Sequence, residues 1–217
     1  MVDIKAKGVL FDMDGTLVDT TACVERAWLA MGSKYGLDCD HLLKHVHGRP
    51  CLDTLRAFFP IACHTPEFAK SFEKSFVNVT EGVNAVPGAH AAIAAIGADK
   101  WAVVTAASRM WVETRLTQVG IPLPQYMVSS DDILNGKPHP EGYLCGAAAL
   151  GQLPADVVVF EDAVNGVKAG VAAGATVVAV VTSTERAALE KAGAHHVVDD
   201  FTHINFTDCG DHILLTI

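Results

Sequence analysis

The sequence has 6 cysteines (Cys23, Cys39, Cys51, Cys63, Cys145 and Cys209) but no C-x-x-C pair. Structural zinc sites and dithiol redox centres need close pairs of that kind, so these read as small apolar residues of a reducing compartment. No apolar run approaches the ~20 residues that cross a bilayer. The opening segment, MVDIKAKGVLFDMDG, lacks the long apolar core of a secretory signal. A cytoplasmic location without a membrane partner is expected. Positive charge is scarce: 16 Lys+Arg stand against 25 Asp+Glu, a net charge of -9. Binding to a phosphate backbone calls for the opposite balance, so no nucleic-acid partner is expected. No G-x-G-x-x-G follows the first strand, which disfavours a dinucleotide site. Internal repeats and low-complexity tracts are absent as well.

Apolar material is plentiful, at 50% of 217 residues. That length suits one large domain, or one domain carrying a smaller insertion. Val9–Phe11 is a short apolar run ending in acid and glycine, the mark of a buried strand. No strand is expected from Asp19 to about Gly82. Val24, Ala27, Trp28, Met31 and Tyr35 recur at helical spacing before Gly36. Leu52, Leu55, Phe58 and Phe59 do so before Pro60, and Phe68, Phe72, Phe76 and Val79 form a third stripe. The spacing predicts a small helical bundle. After Pro87-Gly88 strands and helices alternate. Strands are predicted at Trp101–Thr105, Tyr126–Val128, Val157–Phe160, Thr176–Val181 and His196–Val198, with helices at Val112–Val119, Pro140 to near Gly151, Asn165–Ala173 and Glu185–Ala192. Alternation of this kind implies a parallel sheet covered on both faces. The expected fold is α/β: a Rossmann-like parallel sheet with a helical cap inserted after the first strand. Residues 1–18 and 84–217 would form the core and 19–83 the cap.

Open α/β sheets bind ligands beyond the carboxyl ends of their strands. The first strand delivers Asp12 and Asp14, the WAVVT strand Thr105, and the VVVF strand Glu161 and Asp162; Lys137 lies in NGKPHP before a helix. Any one of these alone reads as a cap, a turn or a surface residue. Together, at successive strand ends, four acids cannot share one mouth as bare anions. A hard divalent cation resolves the repulsion, and oxygen-only ligands favour Mg²⁺. Lys137 and Thr105 add a cation and a donor, so the site asks for a phosphate ester. Asp12 can act as nucleophile and form an aspartyl-phosphate. Asp14, two residues on and beside the Gly15 turn, can act as general acid.

FDMDGTLVDT resembles the first motif of the haloacid-dehalogenase-like (HAD) phosphotransferases. VVTAAS resembles the second, GKPHPEGY the third and VFEDAVNGVKAGVAAG the fourth. The helical insert matches that family's cap. PGA at 87–89, KWAVVT at 100–105 and HGR at 47–49 resemble the sugar- and polyol-phosphatase branch, which includes glycerol-3-phosphate, 2-deoxyglucose-6-phosphate and hexitol-phosphate phosphatases. The resemblance implies a Mg²⁺-dependent phosphatase acting on a small phosphorylated sugar or polyol. It makes Asp12 nucleophile and metal ligand, and Asp14 acid/base and metal ligand through its carbonyl. Thr105 and the Ala106 amide would hold the phosphoryl group, and Lys137 would neutralise charge. Asp162 would bind the metal, with Glu161 beside it as ligand or support. His47, Gly48 and Arg49 would meet the substrate when the cap closes. Ala106 and Ala107 depart from the family pattern, in which many relatives carry Ser or Asn after the threonine. The alternative is a sugar phosphomutase of the β-phosphoglucomutase type, whose cap arginine would fall near Cys51, close to Arg49. A dehalogenase is disfavoured because it lacks the second acid. A phospho-acceptor signalling domain is disfavoured by the insert. The chain is expected to be a monomer or weak homo-oligomer.

Overall fold

A computed structural model describes residues 2–217. The chain starts with β1 (Asp3–Ala6) and turns into β2 (Gly8–Phe11), every residue of which is buried. After a tight loop comes the two-residue β3 (Val18–Asp19). Four helices follow: α1 (Thr21–Lys34), α2 (Cys39–Leu43), α3 (Cys51–Phe58) and α4 (Pro66–Phe76). Local chemistry marks their starts. The Asp38 side chain accepts from the His41 amide at α2, and Thr65 accepts from the Phe68 amide at α4, with Pro66 in the first turn. Trp28, Met31, Leu42, Leu55, Phe59 and Cys63 form an apolar cluster belonging to this insertion alone. The chain returns through β4 (Asn84–Ala85), which pairs antiparallel with β3: Val18 faces Ala85 and Asp19 faces Asn84. Entry to and exit from the insertion are thus zipped together.

The remainder alternates: α5 (Ala89–Ala94), β5 (Trp101–Val104), α6 (Arg109–Val119), β6 (Tyr126–Val128), α7 (Glu141–Ala149), β7 (Val157–Glu161), α8 (Val164–Ala173), β8 (Thr176–Val180), α9 (Arg186–Ala192) and β9 (His196–Val198). Six of these strands form a parallel sheet in the order β6-β5-β2-β7-β8-β9. Side chains alternate across it, as strand geometry requires. Val9, Phe11, Val103, Phe160 and Val178 pack on one face with α5 and α6; Leu10, Val104, Val159 and Val177 pack on the other with α7, α8 and α9. Burial on both faces explains why these strands read as unbroken apolar runs. The chain builds outward from β2 in both directions, so its carboxyl end lies at the topological switch point.

The anticipated parallel sheet and helical insertion are present. Several strands and helices differ from the expected bounds by a residue or a few. α6 starts at Arg109, because the Ser108 hydroxyl caps the Trp111 amide. Val79 lies beyond the end of α4 with an exposed side chain, so it does not extend the phenylalanine stripe. A second sheet was not anticipated. β10 (Asn205–Asp208) and β11 (Ile213–Thr216) join β1 in an antiparallel sheet of order β1-β11-β10. It buries Phe206, Ile213 and Leu215 against the face that carries Phe11 and Phe160.

Candidate active site

Backbone bonds set the three strand ends at the switch point in place. The Asp12 amide, just past β2, donates to the Phe160 carbonyl at 2.9 Å, and the Thr105 amide, just past β5, donates to the Val128 carbonyl at 2.9 Å. Lys137 arrives from the loop before α7. Its ammonium donates to Asp12 Oδ1 at 2.5 Å, to Glu161 Oε1 at 2.6 Å and to the Val104 carbonyl at 3.1 Å. Those bonds use all three of its donors. Burial alone would pull the Lys137 pKa down, but Asp12 and Glu161 outweigh it and push it up, so the charge is kept. Glu161 is fully buried and saturated. Oε1 also accepts from the Tyr143 hydroxyl at 2.8 Å, and Oε2 accepts from the amides of Asp162 and Ala163 at 2.9 and 3.0 Å. Gly166 is needed beside it, since a Cβ there would lie 1.6 Å from Glu161 Oε1.

Asp12, Glu161 and Asp162 each bring a carboxylate oxygen within 4.8 Å of the others, all three buried. One lysine faces three acids. Burial pushes Asp12 well above the ordinary carboxylate range, with Lys137 opposing and Glu161 and Asp162 adding. Asp162 is pushed up to about 8, first by burial and then by Glu161, while the Ser183 hydroxyl opposes. This shortfall of positive charge is what a bound cation offsets, and the all-oxygen donor set fits a hard divalent ion. Gly15 makes the crowding possible. Its φ is +81°, and a Cβ would meet Asp162 Oδ2 at 2.0 Å.

Asp14 is gripped from two elements. The Thr20 hydroxyl donates to Oδ1 at 2.6 Å, and the Trp111 indole N–H donates to Oδ1 and Oδ2 at 2.9 and 3.2 Å. Burial pushes its pKa up, and those bonds pull the other way. Trp111 is itself clamped, with the Arg115 guanidinium 3.9 Å from its ring centroid. Fully buried Arg115 donates to the carbonyls of Phe76 and Val79 at 3.2 and 2.5 Å, tying α6 to the end of α4. The Thr105 hydroxyl oxygen accepts from the Ala107 amide at 3.1 Å. Ala106 lines the same cleft.

The insertion supplies the other wall, with His47, Gly48, Arg49 and Glu73 lining the cleft that holds Asp12 and Asp14. His47 Nε2 lies 3.1 Å from Glu25 Oε1. Gly48 has a φ of +64°, and a Cβ there would sit 2.6 Å from that of Ala163, so this loop rests on the turn after β7. Arg49 has no ion-pair partner among the described residues.

The family described as haloacid dehalogenase-like hydrolase matches residues 9–180. The chain belongs to that family. Among curated relatives, this hydrolase is 39% identical over 182 residues to hexitol phosphatase A of Escherichia coli, covering 82% of this chain and 84% of the relative. It is 36% identical over 228 residues to 2-deoxyglucose-6-phosphate phosphatase 1 of Saccharomyces cerevisiae, covering 94% and 92%. In fold it resembles a β-phosphoglucomutase from Clostridium difficile with a TM-score of 0.76 at 22% identity, covering 90% and 91% of the two chains.

Every residue singled out from the sequence of this hydrolase lies at the switch point or on the cleft walls. Others went unnoticed there. Trp111 sits at an apolar helical position and reads as core. Thr20 and Tyr143 lie inside the first and third motifs, FDMDGTLVDT and GKPHPEGY, which is the one signal that could have found them. Ser183, whose hydroxyl donates to Asp162 Oδ2, comes from the loop after β8 and carries no motif. Glu73 reads as one polar residue between two phenylalanines.

Proposed function

We propose that this chain is a Mg²⁺-dependent phosphatase of small phosphorylated sugars or polyols, working through an aspartyl-phosphate. Its main support is the buried Lys137 bridge between Asp12 and Glu161, with a second acid two residues from Asp12. Asp12 would attack phosphorus as the bond to the leaving oxygen breaks, and Asp14 would give its proton to that oxygen. Water would then attack the aspartyl-phosphate while Asp14 takes its proton, releasing phosphate and restoring both carboxyl groups. Thr105 and the Ala106 amide would hold the phosphoryl oxygens, and Lys137 would keep Asp12 ionised and offset the growing charge. Asp12, Asp162 and the Asp14 carbonyl would hold Mg²⁺. Glu161, its oxygens already engaged by four donors, would act by fixing Lys137 and the turn that carries Asp162. Bound there, Mg²⁺ supplies charge neutralisation for the phosphoryl oxygens.

We take residues 19–83 as the cap, hinged at the β3–β4 pair, and 1–18 with 84–217 as the core. The named activities of the 36–39% identical relatives support a sugar or polyol ester as substrate. The test is phosphate release from a panel of glycerol, hexitol and hexose phosphates, with Mg²⁺ and with EDTA. Metal-dependent release is expected. Conversion of β-glucose 1-phosphate to glucose 6-phosphate with a bisphosphate primer, without net release, would replace the phosphatase by a mutase.

A further inference from the structure

Glu73 has no place in the chemistry above, yet it is only 9% exposed. It projects from α4 into a cleft wall made of Trp28, Phe72 and Phe76. Buried carboxylates are normally paired, because an apolar setting strips their hydration without replacing it. The buried and half-buried acids nearby follow that rule: Glu161 has four donors, and Asp14 is held by Thr20 and Trp111. Glu73 has no ion pair among the described residues. Burial pushes its pKa up to about 7; the Ser108 hydroxyl eases this, and Asp14 and Asp131 add to it. A carboxyl held at such a disadvantage on a cleft wall is matched by donors that come with a ligand.

We propose that the Glu73 side chain accepts hydrogen bonds from hydroxyl groups of the substrate's leaving group. It thereby selects a neutral polyol or sugar monophosphate over an ester carrying a second anionic group. The inference rests on the phosphatase reading. A hydroxyl is both donor and acceptor, and the insertion offers one complement of each kind: Glu73 to accept, and Arg49, without an ion pair among the described residues, to donate. Ser108 engages only part of the acceptor capacity of a carboxylate, so substrates lacking the hydroxyls would leave the rest of it unmet in a largely buried setting, a form of discrimination polar sites build well. A second phosphate on the leaving group would be brought beside the Glu73 carboxylate, and like charges at short range repel.

Two variants separate the hydrogen bond from the charge. Glu73→Met keeps the volume and suits the apolar wall. Glu73→Gln keeps an acceptor and loses the charge. Steady-state kcat/KM is measured for a polyol phosphate, for phenyl phosphate and for a sugar bisphosphate. In Glu73→Met the polyol-to-phenyl ratio is expected to fall by about tenfold or more, mainly through KM. Glu73→Gln should recover part of that ratio, and both variants should turn over the bisphosphate relatively better than the parent. A polyol-to-phenyl ratio within about twofold of the parent in both variants would overturn the proposal. Failure of the phosphatase reading looks different: the parent enzyme would release phosphate from neither ester, and both readings would fall together.

Discussion

The two walls of the cleft are built on opposite plans. On the core wall the side chains interlock: Lys137 spends all its donors, Glu161 accepts four, and Asp14 accepts from Thr20 and Trp111. On the insertion wall Arg49 and Glu73 have no ion-pair partner among the described residues. A saturated buried network is rigid and aims its charges in advance, which suits a phosphoryl group common to every substrate. Charged groups without an ion pair, on a separately packed bundle, would suit a leaving group that varies. On the proposed reading, reaction type would belong to the sheet and substrate choice to the helices.

The comparison breaks most completely at Asp12. Asp12→Asn would remove the proposed nucleophile and is expected to lower Mg²⁺-dependent phosphate release by at least about 10³-fold. Turnover near the parent's in pure variant protein would take the nucleophile away from Asp12. Next comes Lys137→Met. Two buried acids lose their cation, so unfolding in urea should show a loss of about 3–5 kcal/mol. Arg49→Ala, on the other wall, should stay within about 0.5 kcal/mol of the parent. Equal losses in the two variants would erase the distinction between the walls.

The same asymmetry governs what could be read from the residues in order. Asp12, Thr105 and Glu161 were legible because a parallel strand buried on both faces is an apolar run, and the first polar residue after it must lie at its carboxyl end. Lys137 was legible through its motif. Trp111 was not, because a tryptophan among apolar helical positions has the same pattern whether its N–H meets a carboxylate or nothing. Glu73 was hidden by the reverse effect: an acid between phenylalanines on α4 looks like a solvated face until the neighbouring helices cover it. β10 was illegible because Phe206 is the one apolar residue of Asn205–Asp208, unlike the equally short but wholly apolar β2 and β5, and without β10 nothing in the sequence signals a partner for β11.

Glu73 also links the comparison to pH. With its pKa raised from 4.5 to about 7, the fold prefers the protonated acid. Below pH 4.5 the group is protonated folded or unfolded, and stability is untouched. As pH climbs from 4.5 to 7 the unfolded chain ionises first, and the folded state loses up to about 3 kcal/mol. Glu73→Met removes that loss, so the variant's advantage in Tm over the parent should widen from pH 4.5 to pH 8. A constant difference across that range would show that Glu73 is not held against its ionisation.

The smallest expected effect tests how the core wall holds Asp14. Trp111→Phe keeps an aromatic ring for Arg115 to cover, at some loss of buried volume, and removes the N–H that reaches both Asp14 oxygens. If the indole aims the acid, its loss should weaken proton delivery and little else. An alkoxide leaving from a polyol phosphate needs that proton, whereas p-nitrophenolate departs without it. The kcat for a polyol phosphate is therefore expected to fall by about tenfold, and that for p-nitrophenyl phosphate by much less. Equal losses on the two esters would mean that Trp111 serves the packing of α6 against α4 through Phe76, not the aim of Asp14, and the grip on the acid would then belong to Thr20.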